Sequence, residues 1–138
     1  MRILGIDYGT KRIGLALGDT ESGIAGPWRV IENEGMDEAV LRLQDLAEEE
    51  HVEEIVLGVP MSPDGRIASD IAEDVLAFMR LLKAKDLIVH KENELLSSKV
   101  AASQMEDVGR KEKRDDLAAT AILQTYLDRL SHTKQAHS

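Results

Sequence analysis

Cysteine is absent from this chain of 138 residues, and aromatic side chains make up only 3% of it. Without cysteine the chain forms neither a disulfide bond nor a thiolate metal site, so we expect a reducing compartment, the cytoplasm. The scarcity of aromatic rings disfavours a platform on which the bases of a single strand would stack. The length fits one domain with a sizeable hydrophobic core.

Long hydrophobic runs are also missing. No apolar stretch approaches the roughly 18 residues that a membrane-spanning helix needs. The N-terminus enters a strand-like run with an acid at Asp7, which is not the pattern of a signal peptide. We therefore expect no membrane partner. The Walker A, GxGxxG and HExxH motifs and any Cys/His cluster are absent too, so neither a common nucleotide-binding loop nor a zinc centre is indicated.

Acidic residues outnumber basic ones, and the formal net charge of −9 at first sight disfavours nucleic acid as a partner. The charges are unevenly spread, however. Fourteen acids and two bases lie between Glu32 and Asp74, whereas eight bases and six acids lie between Lys83 and Arg114. Net charge does not describe every face of a protein. The acidic run is typical of a solvated helix face, and the mildly basic part keeps nucleic acid open as a partner.

Apolar periodicity predicts a single mixed α/β domain over residues 1–130 and a flexible polar tail over residues 131–138. Three strands followed by alternating helices and strands are typical of a mixed sheet with helices on its faces. The predicted strands are Arg2–Asp7, Ile13–Gly18, Ala25–Ile31, Glu54–Val59 and Leu87–His90. The predicted helices are Asp37–Glu50, one from about Ser69 to Leu82, one from Ser97 or Ser98 to about Gly109, and Asp115–Leu130, with a loop at Pro60–Gly65.

Asp7 is the one carboxylate in its short apolar strand, which a tight turn joins to a second apolar strand. A carboxylate at the end of a buried strand is costly unless a partner neutralises it. Mg²⁺ is one such partner, because a few carboxylates and substrate oxygens usually hold it. Phosphodiester cleavage with such ions needs acids from different elements to meet at one sheet edge. The candidates are Glu92 and Glu94 after the fifth predicted strand, and Asp115 and Asp116 at the start of the last helix.

Each of these acids also has a simpler interpretation. An acid after a strand is most often an exposed loop residue, and an aspartate at a helix start most often caps the helix or interacts with its dipole. Asp115 and Asp116 lie equally far from the centre of the apolar face of the last helix, so periodicity does not choose between them. His90 is the histidine nearest to the candidates, and a structural or solvent-facing role is the simpler interpretation for it.

Three segments, in order and at suitable spacing, resemble the bacterial YqgF family. They are GIDYGTKRIGLA (Gly5–Ala16), IVLGVPMSPDG (Ile55–Gly65) and DDLAATAILQTYLD (Asp115–Asp128). The resemblance covers essentially residues 1–130. It implies a ribonuclease H-like fold, with a five-stranded mixed sheet made of a three-strand antiparallel meander plus two parallel strands, flanked by helices on both faces. Members of this family are taken to be nucleases that mature the 5′ end of pre-16S rRNA, and they are related in fold to Holliday junction resolvases.

The resemblance implies three acidic ligands for Mg²⁺ or Mn²⁺. Asp7 matches the acid of the family's first strand, and Glu94 matches the middle acid of its Asp-Glu-Arg-Leu segment. Asp115 matches the aspartate of its D-x-x-A-A motif, which decides between Asp115 and Asp116. The residues expected to contact phosphate are Gly9, Thr10, Lys11 and Arg12 in the first turn, and Lys111, Lys113 and Arg114 in the basic run before the last helix.

Two residues beside Glu94 depart from the family pattern. Asn93 stands where the family has Asp, and Leu95 stands where it has Arg. Leucine cannot imitate the bidentate contact that arginine makes with a phosphate or a carboxylate. The site is therefore either weakened or supported by another cation, for which Lys91 and Lys99 are candidates. The loss of the acid at position 93 also removes a negative charge that would favour a metal ion.

These features lead to hypotheses from three classes. The first is a metal-dependent endonuclease with a two-metal-type mechanism, in which Asp7, Glu94 and Asp115 hold the ion. Its substrate would be structured nucleic acid, preferably pre-16S rRNA during ribosome biogenesis, with a Holliday junction as the alternative. The second is a nucleic-acid-binding ribosome-assembly factor with weakened catalysis, which Leu95 and the net charge motivate. The third, an actin-like ATP-binding domain, is disfavoured by the short chain. The oligomeric state stays open.

Overall fold

The structure, a computed structural model, describes residues 1–61, 70–95 and 111–136. No helix in these ranges is long and apolar enough to cross a membrane. The strands in these ranges are β1 (Arg2–Asp7), β2 (Arg12–Asp19), β3 (Ile24–Glu32), β4 (Val52–Met61) and β5 (Val89–Leu95). The helices are α1 (Met36–Glu49), α2 (Asp70–Ala84) and α3 (Lys111–Ala136).

The five strands form one mixed sheet in the order β3-β2-β1-β4-β5. β1 and β3 each pair with β2 in antiparallel fashion, and β4 pairs in parallel with both β1 and β5. The predicted meander plus two parallel strands is thus confirmed. Because β1, β4 and β5 run in the same direction, their carboxyl ends meet at one edge of the sheet, which is the usual ligand edge of α/β folds.

One face of the sheet packs against α1 and α2. Strand alternation sends every second residue of β1 and β4 into this core, and each buried aliphatic or aromatic side chain there contributes about 1.5–3 kcal/mol. The largest fully buried members are Leu4, Ile6, Ile13, Leu15, Leu43, Ile55, Leu57, Phe78 and Leu82.

The opposite face of the sheet packs against α3. Its core joins Ile3, Ala16 and Val56 of the sheet to Ala119, Ile122, Leu123 and Leu127 of the helix. Gln124 of α3 adds a polar anchor. Its Oε1 accepts a hydrogen bond from the backbone N–H of Ala25, and its Nε2 donates one to the carbonyl of Gly23. The two faces together confirm that helices flank both sides of the sheet.

β5 differs from its predicted bounds. The sequence predicts a short strand at Leu87–His90, whereas β5 begins at Val89 and continues to Leu95. The cause is its neighbour, because β4 runs on to Met61 and pairs there with Leu95. Pairing with a long central strand overrides the low strand preference of the polar residues in this segment. Glu92 and Glu94 therefore lie within a strand rather than after one.

α3 is also longer than the predicted helix Asp115–Leu130. It begins at Lys111 and ends at Ala136, so residues 131–136 continue the helix where the tail was predicted to begin. These added residues hold neither glycine nor proline, and the lysines and arginine at the start are good helix formers. The helix predicted between Ser97 and Gly109, and most of the loop predicted at Pro60–Gly65, lie outside the described residues.

Candidate acidic site at one edge of the sheet

Asp7 is the last residue of β1 and is half-buried. Alternation along the strand places it on the same face as Ile3, which packs against α3. The next residue, Tyr8, is buried on the other face, where its ring lies 4.7 Å from that of Phe78. Asp7 therefore stands at the rim of the sheet, on the side that α3 covers.

The strand register brings two glutamates to the same edge. Gly58 of β4 comes level with Asp7 on one side and pairs with Glu92 of β5 on the other. Neighbouring strands lie about 4.8 Å apart, so the Cα atoms of Asp7 and Glu92 are about 10 Å apart. Glu94 pairs with Pro60 and lies two residues nearer to the edge. Its role as the middle acid of the site stays a prediction.

Two glycines show how closely α3 approaches the sheet. A Cβ atom on Gly5 would lie 2.7 Å from the Cβ of Leu123 and 2.9 Å from the carbonyl oxygen of Ala119. A Cβ atom on Gly18 would lie 2.9 Å from a methyl group of Leu127. Gly5 has no room for a side chain, because one of the atoms that a Cβ would meet belongs to the backbone of α3, whereas a Cβ on Gly18 would require Leu127 to shift.

These contacts also give the direction of α3. Gly18 pairs with Ile3 near the start of β1, and it meets a later part of the helix than Gly5 does. The helix therefore runs opposite to β1. Asp115 precedes Ala119 by one helical turn, which places it beyond Gly5, toward the end of β1 that carries Asp7. The fold thus directs all three predicted acids to one edge.

The donors at this edge suit a divalent cation, because carboxylate oxygens are the ligands that Mg²⁺ and Mn²⁺ prefer. Within residues 1–61, 70–95 and 111–136 as described, no group donates a hydrogen bond to the buried Oε2 of Glu92 or Oδ1 of Asp116, and a cation is one group that would satisfy such oxygens. In the described part of the chain, no group of three or more His, Asp or Glu side chains could hold a metal ion. The side chains of Glu94 and Asp115 lie outside that part, so the three-acid set stays a prediction.

The turn between β1 and β2 holds four of the predicted phosphate-binding residues, Gly9 to Arg12. A Cβ atom on Gly9 would lie 2.4 Å from the carbonyl oxygen of Arg12, so the turn is too tight for any other residue. Asn33, the residue after β3, holds this turn in place with two hydrogen bonds. Its Nδ2 donates a hydrogen bond of 2.8 Å to the carbonyl of Gly9, and its backbone N–H donates one of 2.9 Å to the carbonyl of Lys11.

The second predicted phosphate-binding group, Lys111, Lys113 and Arg114, lies in the first turn of α3. The side chains of these three residues lie outside the described part. Their position at the start of α3 is on the same side of the fold as the predicted acids. Their role stays a prediction.

Two side chains of β5, His90 and Glu92, contact α3. They lie two residues apart and therefore on the same face of the strand. His90 stacks on Tyr126 at 5.2 Å between ring centroids and also pairs with Glu54. Glu92, only 2% exposed, forms an ion pair with Arg129. Burial raises the pKa of Glu92 above its usual range, and the charge of Arg129 opposes that rise. Burial, and then the charge of Glu54, likewise raise the pKa of Tyr126.

Sequence reasoning missed two of these residues. Asn33 carried a signal, because an Asn before Glu-Gly at the end of a strand is typical of a turn in which the side chain bonds the backbone. Arg129 carried none, since nothing in the local pattern pairs it with a glutamate 37 residues away. The structural role that the sequence suggested for His90 agrees with its contacts to Glu54 and Tyr126.

The architecture is a ribonuclease H-like fold. Two solved structures resemble it over most of its length. One is Thermus thermophilus RuvC in complex with a Holliday junction substrate, with a TM-score of 0.56, 14% identity, and coverage of 92% of this chain and 93% of that chain. The other is the Fowlpox virus resolvase with Holliday junction DNA, with a TM-score of 0.58, 13% identity, and coverage of 94% and 99%. At these identities the likeness shows the fold alone.

The chain belongs to the RuvX (YqgF) family. The family model, described as Holliday junction resolvase, matches residues 1–129. A relative from Maridesulfovibrio salexigens named "Putative pre-16S rRNA nuclease" is 36% identical over 134 residues, which are 94% of this chain and 99% of the relative. One of the same name from Moorella thermoacetica is 40% identical over 137 residues, 94% and 96% of the two chains. The predicted resemblance is confirmed, and the family supports a nuclease role.

Proposed function

We propose that this chain is a metal-dependent endonuclease that cleaves structured RNA, and that its substrate is the 5′ region of pre-16S rRNA. The proposal is supported by the backbone positions of Asp7 at the end of β1, Glu94 near the end of β5 and Asp115 near the start of α3, all toward the carboxyl edge of the sheet. The names of the relatives favour precursor rRNA over other nucleic acids. The absence of cysteine and of a membrane-spanning helix in the described ranges agrees with action in the cytoplasm.

In this proposal the chain's own residues position the phosphodiester. Asp7, Glu94 and Asp115 would hold Mg²⁺ or Mn²⁺, which supplies an activated water and stabilises the leaving oxygen. Lys11 and Arg12 neutralise the phosphates next to the cleaved bond. The N–H groups of the tight turn at Gly9 and Thr10 are available as donors to phosphate oxygens.

The direct test is cleavage of a 16S precursor transcript in Mg²⁺ by the wild-type chain and by Asp7→Asn. We expect the substitution to lower the rate by roughly 100-fold or more, because it removes a charged metal ligand. Asp19→Asn is the matched control, since Asp19 ends β2 at the opposite end of the sheet. Full activity of Asp7→Asn, or equal losses in both variants, would contradict the assignment of Asp7.

Cleavage of a four-way DNA junction is the second candidate function. The description of the family model and the junction complexes among the similar structures favour it. A competition assay that mixes equal amounts of labelled precursor rRNA and labelled junction distinguishes the two. Preferential cleavage of the junction would reject the rRNA assignment and retain the acidic site.

A binding factor with weakened catalysis is the third candidate, and the departures at Asn93 and Leu95 favour it. Its test is Leu95→Arg, which restores the residue type of the family pattern. A regained charge-assisted contact is worth about 1.5–3 kcal/mol, so the cleavage rate should rise roughly 10-fold to 100-fold if catalysis had been weakened there. An unchanged rate in Leu95→Arg, beside robust wild-type cleavage, would remove this candidate.

A further inference from the structure

A groove of about 650 Å³ lies beside the acidic edge, between the β1–β2 turn and the end of β3. Arg12 and Glu32 pair across its floor as the first residue of β2 and the last of β3. The pairing of Asp7 with Gly14 lies two residues away on β2, on the order of 7 Å. The groove is therefore within reach of a polymer that is held at Asp7. Its lining residues are Thr10, Lys11, Arg12, Val30, Ile31, Glu32, Asn33 and Glu34.

The two walls of the groove carry opposite charges. Lys11 and Arg12 come from the turn, and Glu32 and Glu34 come from the end of β3 and the residues after it. None of these four side chains forms an ion pair with another residue in the described part of the chain. Cations left unpaired beside a groove attract an anion, whereas ionised carboxylates accept hydrogen bonds and repel phosphate.

Asn33 makes the groove rigid before any ligand arrives. Besides its two bonds to the β1–β2 turn, its Oδ1 accepts a hydrogen bond of 3.0 Å from the N–H of Gly35. One side chain thus joins the turn, the end of β3 and the residues that lead into α1. A preformed site loses less conformational entropy on binding than one that must first become ordered.

We propose that this groove binds one nucleotide unit of an RNA strand next to the cleaved bond, with its phosphate on Lys11 and Arg12 and its hydrogen-bond donors facing Glu32 and Glu34. The ribose 2′-hydroxyl is a donor that DNA lacks. The carboxylate wall therefore favours RNA over DNA. Asn33 is the positioning residue that holds the turn in place. The proposal rests on the nuclease role proposed above and adds a binding site outside the acidic set.

Binding is measured with the full chain and a labelled 12-nucleotide strand, as RNA and as DNA of the same sequence, in EDTA so that the strand stays intact. We expect Lys11→Ala/Arg12→Ala to weaken RNA binding about 10-fold and to reduce the slope of log K against log salt by about 0.7, because the two cations together contact one phosphate. The matched control is Arg80→Ala/Lys83→Ala, on the exposed side of α2. Equal losses in the two double variants would overturn the site.

The double variant Glu32→Gln/Glu34→Gln tests whether the two carboxylates distinguish RNA from DNA. Removing two negative charges strengthens binding of both strands, but the ratio of RNA affinity to DNA affinity should fall by about 3-fold to 10-fold. Glu48→Gln/Glu49→Gln near the end of α1 removes the same charge away from the groove and should leave the ratio unchanged. An unchanged ratio in the groove variant would overturn the role of Glu32 and Glu34.

Asn33→Ala tests the positioning role. Because the cations remain, it should weaken RNA binding about 3-fold to 10-fold with the salt slope retained, whereas a lost phosphate contact would lower the slope. Unchanged binding in Asn33→Ala would overturn its role. The two proposals fail separately. Groove-dependent binding without cleavage rejects the nuclease proposal alone. Normal cleavage with normal binding in the Lys11/Arg12 variant rejects the groove and the phosphate role of these two cations, but it leaves the acidic metal site untouched.

Discussion

The two sides of the acidic edge are held together by different forces. On the β1 side, neutral hydrogen bonds from Asn33 and close contacts at Gly5 and Gly9 fix the backbone. On the β5 side, a buried ion pair between Glu92 and Arg129 and a stacked His90–Tyr126 pair connect the strand to α3. The β1 side therefore depends on the small volume of its glycines, and the β5 side depends on the opposite charges of Glu92 and Arg129.

In the segment Gly5–Ala16, Gly5 and Gly9 allow contacts that no other residue permits. In β5, a charged pair that sequence patterns do not reveal links the strand to α3. A backbone at its steric limit tolerates no substitution, whereas a charged contact to a half-exposed arginine can be replaced.

Gly5→Ala should have the largest effect on stability. The new Cβ would overlap both Leu123 and the backbone of Ala119, so either α3 or β1 must shift. Overpacking of this kind costs typically 1–3 kcal/mol, and we expect about 3 because one of the clashing atoms belongs to the backbone. Urea denaturation measures the change in the free energy of unfolding.

Gly26→Ala is the matched control for Gly5→Ala. A Cβ atom on Gly26 would meet nothing within 4 Å, so the free energy of unfolding should change by less than about 0.5 kcal/mol. Comparable losses in the two variants would show that the cost comes from replacing a strand glycine and not from the approach of α3.

Arg129→Met should have the next largest effect on stability, because it leaves Glu92 buried without its ionic partner. An unpaired buried charged group costs about 1–3 kcal/mol or more. Since 62% of the arginine side chain is exposed, we expect about 2 kcal/mol at neutral pH. Arg42→Met, at an exposed position of α1, is the control. Adding Glu92→Leu to Arg129→Met should recover most of the loss, as apolar replacements of buried ion pairs often do.

The pH dependence of stability should distinguish the β5 side further. Burial raises the pKa of Glu92 above its usual value of 4.5, so the native state binds more protons than the unfolded state above that pH. The contribution of Glu92 to stability is therefore fully present below pH 4.5 and is lost as the pH rises through the raised value. Arg129→Met should steepen this loss, because the opposing charge is gone. A profile that is parallel to the wild type would contradict the ion pair.

Asp19→Asn should have the smallest effect on stability. A hydrogen bond of 2.7 Å from the N–H of Glu21 lowers the pKa of Asp19 below 3.8. The stabilisation from this carboxylate is therefore present above pH 3.8 and is lost as the pH falls through the lowered value. The variant should show a slightly flatter melting-temperature profile between pH 5 and pH 2. A change as large as that of Arg129→Met would reverse the ranking proposed here.

Much of the sheet could be predicted from local pattern, and the parts that could not depend on neighbours. β1 matches its predicted bounds because an apolar run ends at a turn that only glycine permits. β5 was predicted too short because its polar residues pair with β4, which the local pattern does not show. The acids of the candidate site were predicted from residue type and family motif. The bond of Asn33 to Gly9 and that of Arg129 to Glu92 were not predicted, since the partners lie more than 20 residues apart.

By itself the sequence determined the order of the described strands and helices, which follows from apolar periodicity over a few residues at a time. The resemblance to the family depends instead on sequence motifs, among them the ones that contain Asp7 and Asp115. Only the tertiary structure decided which residues lie beside the candidate site at the carboxyl edge of the sheet. The register of β4 with β5 places Glu92 level with Asp7, and the packing of α3 on Gly5 and Gly18 sets the direction of the helix. Both are long-range pairings, and their energy comes from surfaces that meet only when the chain folds.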